Sequence, residues 1–356
     1  MSPTDIVLGS RALIQNKIIP SVPSKWRPQL RFGLQAYALQ TFQSATSNAR
    51  RVIANPNTAA RKSERLLANT KLADQLGGVF DTLQLVKPGS YVNVDHSDMH
   101  GLTALVGAVQ TRNGRAIPCF VETTYALHIP APDSRNSTPR WQCLRGDMVA
   151  ARTQQSFTGH TIDALQSFRD RLGFWPRLVF DRGFGNESIV EHLNAEGATF
   201  YIRLKGGRYV DCDGERTAVK QLSNKDAAIR LYGLTLRVIC SPKSRRAPEP
   251  WYILTNDFVS SRSKVVRIYY HRFEIEETFK DTKHVFEFDH VRLTKPNSLK
   301  VLLWLIFLGI AVLYKVTRPT KHSAQPHRHS KKRISWIRRA LEQLHQAYGL
   351  VLWSEG

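Results

Sequence analysis

Tyr269, Arg272, Glu276 and Lys283 follow one another in the segment IYYHRFEIEETFKDTKHVFEF. On a helix at 100° per residue they share one arc of about 60°, beside an apolar stripe of Ile268, Ile275, Phe279 and Phe286. Glu277, the nearest other acid, points elsewhere. A tyrosine, an arginine, a carboxylate and a lysine on one face can grip a phosphate, the arginine by its bidentate fork and the lysine as a point charge. The same Arg272–Glu276 spacing also suits an ordinary surface ion pair.

Two further acids stand where strands are expected to end. In YVNVDHSD the alternation stops at Asp95, and in RLVFDRGF a short apolar run delivers Asp181 ahead of a Gly turn. The carboxyl ends of strands are where open α/β sheets hold their chemistry, although Asp is also a common turn former there. Asp98, three residues past Asp95, competes for the first position. His96 and His100 lack metal-ligand spacing and read as structural or solvated. Three convergent carboxylates stay ionised only if cations neutralise them, and hard oxygen donors select Mg²⁺ or Mn²⁺. Two such ions about 3.5–4 Å apart suit phosphodiester chemistry. Asp95, Asp181 and Glu276 are therefore the candidate catalytic and metal-ligating residues, with Tyr269, Arg272 and Lys283 as candidate DNA contacts.

The elements that must position them follow from periodicity and punctuation. Residues 1–87 read as a basic region of three or four short helices, with 12 Lys+Arg against 4 Asp+Glu and caps such as Asn57-Thr58. Residues 88–205 read as the first part of a catalytic α/β domain, in which three antiparallel strands precede alternating helix and strand. Residues 206–262 break that rhythm as a β-rich insertion. Residues 263–318 complete the catalytic domain, with one long helix from about Ser263 to Lys283 and an apolar run, Val301–Tyr314, behind it. That run is about five residues short of a bilayer span and reads as a core helix. Residues 319–356 form a basic tail, including HRHSKKR, and a helix.

Composition narrows the class. The 356 residues carry a net charge of +22, which points to a polyanionic partner, while 42 % hydrophobic residues exclude global disorder. The four cysteines are too scattered for a disulfide framework or a structural zinc site. The N-terminal residues show no signal-peptide pattern, so a soluble protein of a reducing compartment is expected, without a membrane partner.

Taken together, these motifs resemble the bacterial insertion-sequence DDE transposases that carry a Tyr-x2-Arg-x3-Glu-x6-Lys signature, the insertion sequence four-like family. Tyr269, Arg272, Glu276 and Lys283 fit that signature without a gap. Asp95-His96-Ser97 matches the family's Asp-x-Ser/Thr element, and VFDRGF around Asp181 matches its second acid. The resemblance covers roughly residues 88–315. It implies an RNase H-like core with a β-strand insertion, and Mg²⁺-dependent cleavage at the terminal inverted repeats of an element. It further implies strand transfer into target DNA, a hairpin intermediate, and at least a homodimer at the bacterial nucleoid. In the relatives a tryptophan of the insertion stacks on a flipped base, a role that falls here to Trp251. A plain metal-dependent nuclease and a non-catalytic DNA-binding relic are the competing expectations.

Overall fold

The computed structural model describes residues 2–38, 45–99, 102–125, 127–128, 141–142, 157–222, 225–243, 249–288, 291, 293, 296–318 and 335–351. The N-terminal region contains helices α1 (Pro3–Leu13), α2 (Arg27–Gly33), α3 (Ala45–Arg50), α4 (Pro56–Leu67) and α5 (Thr70–Asp81). Five α-helices thus replace the three or four expected among the described residues. The cap of α4 also shifts: Asn55, not Asn57, accepts the Thr58 N–H at 3.1 Å, because Pro56 has no N–H to lose at the first helical position.

Ten strands build one mixed sheet. β1 (Tyr91–Met99), β2 (Leu102–Val109) and β3 (Ile117–Tyr125) are antiparallel neighbours; β4 (Leu127–His128) and β5 (Trp141–Gln142) pair separately. After α6 (Phe157–Leu172) comes β6 (Arg177–Phe180), and after α7 (Glu187–Ala195) comes β7 (Phe200–Leu204). β6 lies parallel to β1, and β7 parallel to β6. The short strands β6 and β7 are near-continuous apolar runs, as expected of parallel strands covered on both faces.

The insertion strands β8 (Tyr209–Cys212), β9 (Glu215–Ala218), β10 (Asp226–Leu231), β11 (Leu234–Ser241) and β12 (Trp251–Thr255) do not form a separate sheet. β12 pairs antiparallel with β7, giving the order β3-β2-β1-β6-β7-β12-β11-β10-β8-β9. The three described cysteines are free.

The long helix expected from Ser263 to Lys283 is two helices, α8 (Arg262–Tyr270) and α9 (Phe273–His284), broken at His271 and Arg272. The cause is a pair of side chains from the sheet. Asn93 donates to the carbonyls of His271 (3.0 Å) and Arg272 (3.3 Å), and Gln110 donates to that of Ile268 (3.1 Å). The same carbonyls still accept backbone N–H groups, but from three residues on rather than four: Ile268 from His271 (3.2 Å), His271 from Glu274 (3.2 Å) and Arg272 from Ile275 (3.2 Å). A side chain inserted at the ladder is a recognised cause of such a kink.

The apolar run becomes α10 (Pro296–Thr317), whose residues Val301–Leu313 are all buried. By length and hydropathy its segment Asn297–Thr317 could cross a membrane, yet 78 % of its most apolar stretch is covered by the protein itself. The larger of two apolar clusters among the described residues runs from Ile6 on α1 through the sheet and α10 to Leu344 on α11 (Trp336–Val351), and the smaller one holds Val179, Tyr201, Trp251 and Tyr269. The HRHSKKR segment lies outside the described residues.

Candidate active site

The register of the two central parallel strands creates the site. β1 and β6 are paired from Tyr91–Arg177 to Val94–Phe180, and the next residue on each chain is an aspartate, Asp95 and Asp181. The expectation that the strand ends at Asp95 needs correction: β1 continues to Met99 against β2, and only its pairing with β6 ends. A carboxylate on each of two diverging parallel neighbours opens a cleft between them.

The helix break supplies the other wall. Arg272 donates to Asp95 Oδ2 at 3.0 Å and to Glu276 Oε1 at 2.5 Å, while Tyr269 Oη donates to Asp181 Oδ1 at 3.5 Å. Five of the residues singled out by spacing thus meet, drawn from β1, the end of β6, α8, the break and the first turn of α9. Lys283 does not join them. It sits half-buried in the last turn of α9 and makes no hydrogen bond or ion pair among the described residues.

The electrostatics of the cleft are strained. Burial pushes the Asp95 carboxyl up to about 6 against the opposing pull of Arg272, with the nearby charges of Asp181 and Glu276 pushing the same way. Burial also pushes the Tyr269 hydroxyl up, so it remains a proton donor. For Arg272 burial disfavours the charge, but Tyr269 and the three acids outweigh it and raise its pKa. The guanidinium lies over the Phe273 ring at 4.6 Å.

Among the described residues no group of three or more acid, His or Cys side chains is arranged to hold a metal ion, and Arg272 supplies a positive charge between Asp95 and Glu276. The donors themselves, three carboxylates in a partly dehydrated cleft with incompletely neutralised charge, fit a hard divalent cation. His96 is no ligand candidate. Its ring stacks on Phe184 at 4.8 Å and lies 4.2 Å from Phe157, and burial lowers its pKa to about 4. His100 is outside the described residues, as is the side chain of Asp98.

Trp251 lies on a strand of the insertion, β12, where the resemblance puts it, with its ring turned inwards. It is only 4 % exposed, packed 5.2 Å from Tyr269 and 5.7 Å from Phe273, so its ring offers no face to a base in this structure. It buttresses the side of the cleft that carries Tyr269. A groove of about 290 Å³ that includes Arg182, the residue after Asp181, is further lined by Arg203, Lys205, Lys220, Tyr252 and the single acid Glu249. Such a basic groove suits a phosphate backbone.

Several supporting residues escape a reading by motif. Glu274 is buried and accepts the N–H groups of Thr111 (3.0 Å), Arg112 (3.1 Å) and Gly114 (3.3 Å) from the β2–β3 turn. Arg115 of the same turn pairs with Asp281 at 2.6 Å. Nothing in the spacing marks them, since Glu274 and Asp281 lie away from the apolar stripe of Ile268, Ile275 and Phe279.

Residues 145–312 match the family model of the transposase DDE domain. The match covers slightly under half of the chain and supports a DDE transposase. It takes in Asp181, Tyr269, Arg272, Glu276 and Lys283 but starts after Asp95. No curated protein matches the chain.

Proposed function

We propose that this protein is a DDE transposase of the Tyr-Arg-Glu-Lys signature group, cutting DNA at the ends of its element and joining those ends to target DNA. The observation that carries the proposal is the meeting of Asp95, Asp181 and Glu276 around Arg272, from segments far apart in sequence. The sheet order β3-β2-β1-β6-β7, antiparallel then parallel, supports an RNase H-like core, with residues 206–262 as its insertion and residues 1–87 as the end-binding region.

Asp95, Asp181 and Glu276 would hold two divalent ions, Mg²⁺ or Mn²⁺. When bound, these supply Lewis-acid stabilisation of the attacking and leaving oxygens. The remaining work falls to the chain. Arg272 and Tyr269 present donors to a non-bridging phosphate oxygen, Arg272 at the price of its present ion pairs. Arg182, Arg203, Lys205 and Lys220 draw the backbone towards Asp181. A hairpin intermediate gains no support from Trp251, whose ring is buried. Joining two ends in one complex requires at least a homodimer on double-stranded DNA, in the nucleoid of a bacterial cytoplasm.

The test is excision from a supercoiled plasmid carrying the gene with its native flanks. Purified protein should release a discrete fragment with Mg²⁺ but not Ca²⁺, and Glu276→Gln should abolish release. Random nicking that depends on Glu276 would mean a nuclease instead. Binding to the flanks without cutting under any metal would mean a DNA-binding relic.

A further inference from the structure

Asn93 and Gln110 are buried or half-buried amides that no catalytic motif contains. Asn93 lies on β1 two residues before Asp95, and so on the same face of the sheet. Its Nδ2 donates to the carbonyls of His271 at 3.0 Å and Arg272 at 3.3 Å, while its Oδ1 accepts from Gln110 Nε2 at 2.7 Å. The same Gln110 nitrogen donates to the Ile268 carbonyl at 3.1 Å. Backbone carbonyls only accept, so both amides must turn their nitrogens towards the helix, which leaves a single consistent orientation for the pair.

We infer that Asn93 and Gln110 are positioning residues: their amides hold α8 and α9 apart at His271–Arg272, and thereby aim Tyr269, Arg272 and Glu276 at the two aspartates. A continuous helix would place these three on one face by periodicity alone, but its four-residue ladder would run unbroken through 268–275, where the backbone bonds now span three residues and the sheet amides share their carbonyls. The break lets α8 end with Tyr269 on Asp181 while α9 begins with Glu276 near Arg272. Because the clamp and Asp95 share one strand, any shift of β1 moves the acid and the guanidinium together. Glu274 adds a second fastening from the β2–β3 turn, which prevents α9 from sliding along its axis. Among the described residues no hydrogen bond joins the pair to an acid of the cleft, so it acts through the geometry of the break.

The catalytic consequence rests on the DNA-cleavage reading; the structural one does not. The test uses Gln110→Met and Asn93→Leu, which keep volume but cannot donate, in the full chain. Hydrogen exchange of the segment 267–277 should rise about tenfold or more relative to β6 and β7, whose protection stays as in the wild type. Single-turnover cleavage should fall about tenfold to a hundredfold with the Kd for DNA within about twofold, since misplacing a reacting group by 1 Å costs on that order. Adding Arg272→Lys to either variant should cost less than the product of the separate losses, because both act on one group. Exchange that rises equally everywhere, or not at all at 267–277, would overturn the inference even if cleavage is lost. Should Asn93→Leu fail to fold, Gln110→Met, at the half-exposed end of the network, decides alone. A wild-type protein that never cuts DNA would defeat the DNA-cleavage reading, and the exchange result would still judge the clamp.

Discussion

Arg272 holds Asp95 at 3.0 Å from a side chain that is 4 % exposed, so a buried positive charge from the helix break compensates a carboxylate of the central sheet. The other arm of the guanidinium reaches Glu276, which is 41 % exposed and can turn to water. Loss of the arginine therefore falls mainly on Asp95. Arg272→Ala should destabilise the protein by about 3 kcal/mol, the cost of stranding one partner of a buried pair. Adding Asp95→Asn should restore part of that loss, because the stranded charge goes with it. Chemical denaturation of the two variants and their combination checks this. Additive losses would mean that the pair is not energetically coupled.

Trp251 fills the space between Tyr269 and Phe273, so truncating it opens a cavity beneath the tyrosine that meets Asp181. Trp251→Ala should cost roughly 3–5 kcal/mol, while Trp251→Phe should cost under half of that. Thermal unfolding measures both. A Trp251→Ala protein of unchanged stability that fails only in cutting would instead return the ring to a role on DNA.

Much of this site is legible in the sequence, and the reasons are local. Asp181 is announced by the apolar run RLVF and the Arg-Gly turn after it, and the structure places it where that run ends. Tyr269, Arg272 and Glu276 are announced by spacing, which survives the helix break because the break is short. The break itself is not legible. It depends on Asn93 and Gln110, which are distant in sequence and look like polar residues at ordinary strand positions. The burial of Trp251 is hidden for a related reason. Nothing in the segment PWYILTNDF reveals that β12 joins β7 at the centre of the sheet, with α8 and α9 covering the ring.

Two glycines of helices should respond to the same substitution with opposite signs. A methyl group at Gly309 of α10 would sit 1.8 Å from the carbonyl oxygen of Ala38, whereas at Gly78 of α5 nothing lies within 4 Å. Helix propensity favours Ala over Gly by about 1 kcal/mol at either place. At Gly309 the overlap with a buried backbone wins, and Gly309→Ala should lose about 3 kcal/mol. At Gly78 there is no opposing contact, and Gly78→Ala should gain roughly 0.5–1 kcal/mol. Denaturant midpoints of the two variants decide, and a tolerated Gly309→Ala would deny the close seating of α10 on the N-terminal helices.

Acid sensitivity should trace to Asp257, which ties the start of α8 to β7. Its carboxylate accepts the N–H groups of Val259 (3.0 Å) and Ser260 (2.9 Å) and the hydroxyl of Tyr201 (2.6 Å). Burial would raise its pKa, but the hydrogen bonds from Ser260, Tyr201 and Val259 outweigh it and hold the group down at about 2. A carboxylate lowered in the folded state binds its proton more readily when unfolded. It therefore contributes stability that is present above the ordinary carboxylate range near pH 4 and is lost as pH falls towards 2. Asp257→Asn keeps the size and removes the charge. It should flatten the stability profile between pH 4 and pH 2 and cost roughly 1–3 kcal/mol at neutral pH, the range for weakening a group of partly buried hydrogen bonds. Because Asp257 precedes the helix that carries Tyr269 in its last turn, the variant should also loosen α8 before the sheet melts, seen as faster hydrogen exchange over residues 261–270. An unchanged acid limb would assign the pH dependence to other carboxylates.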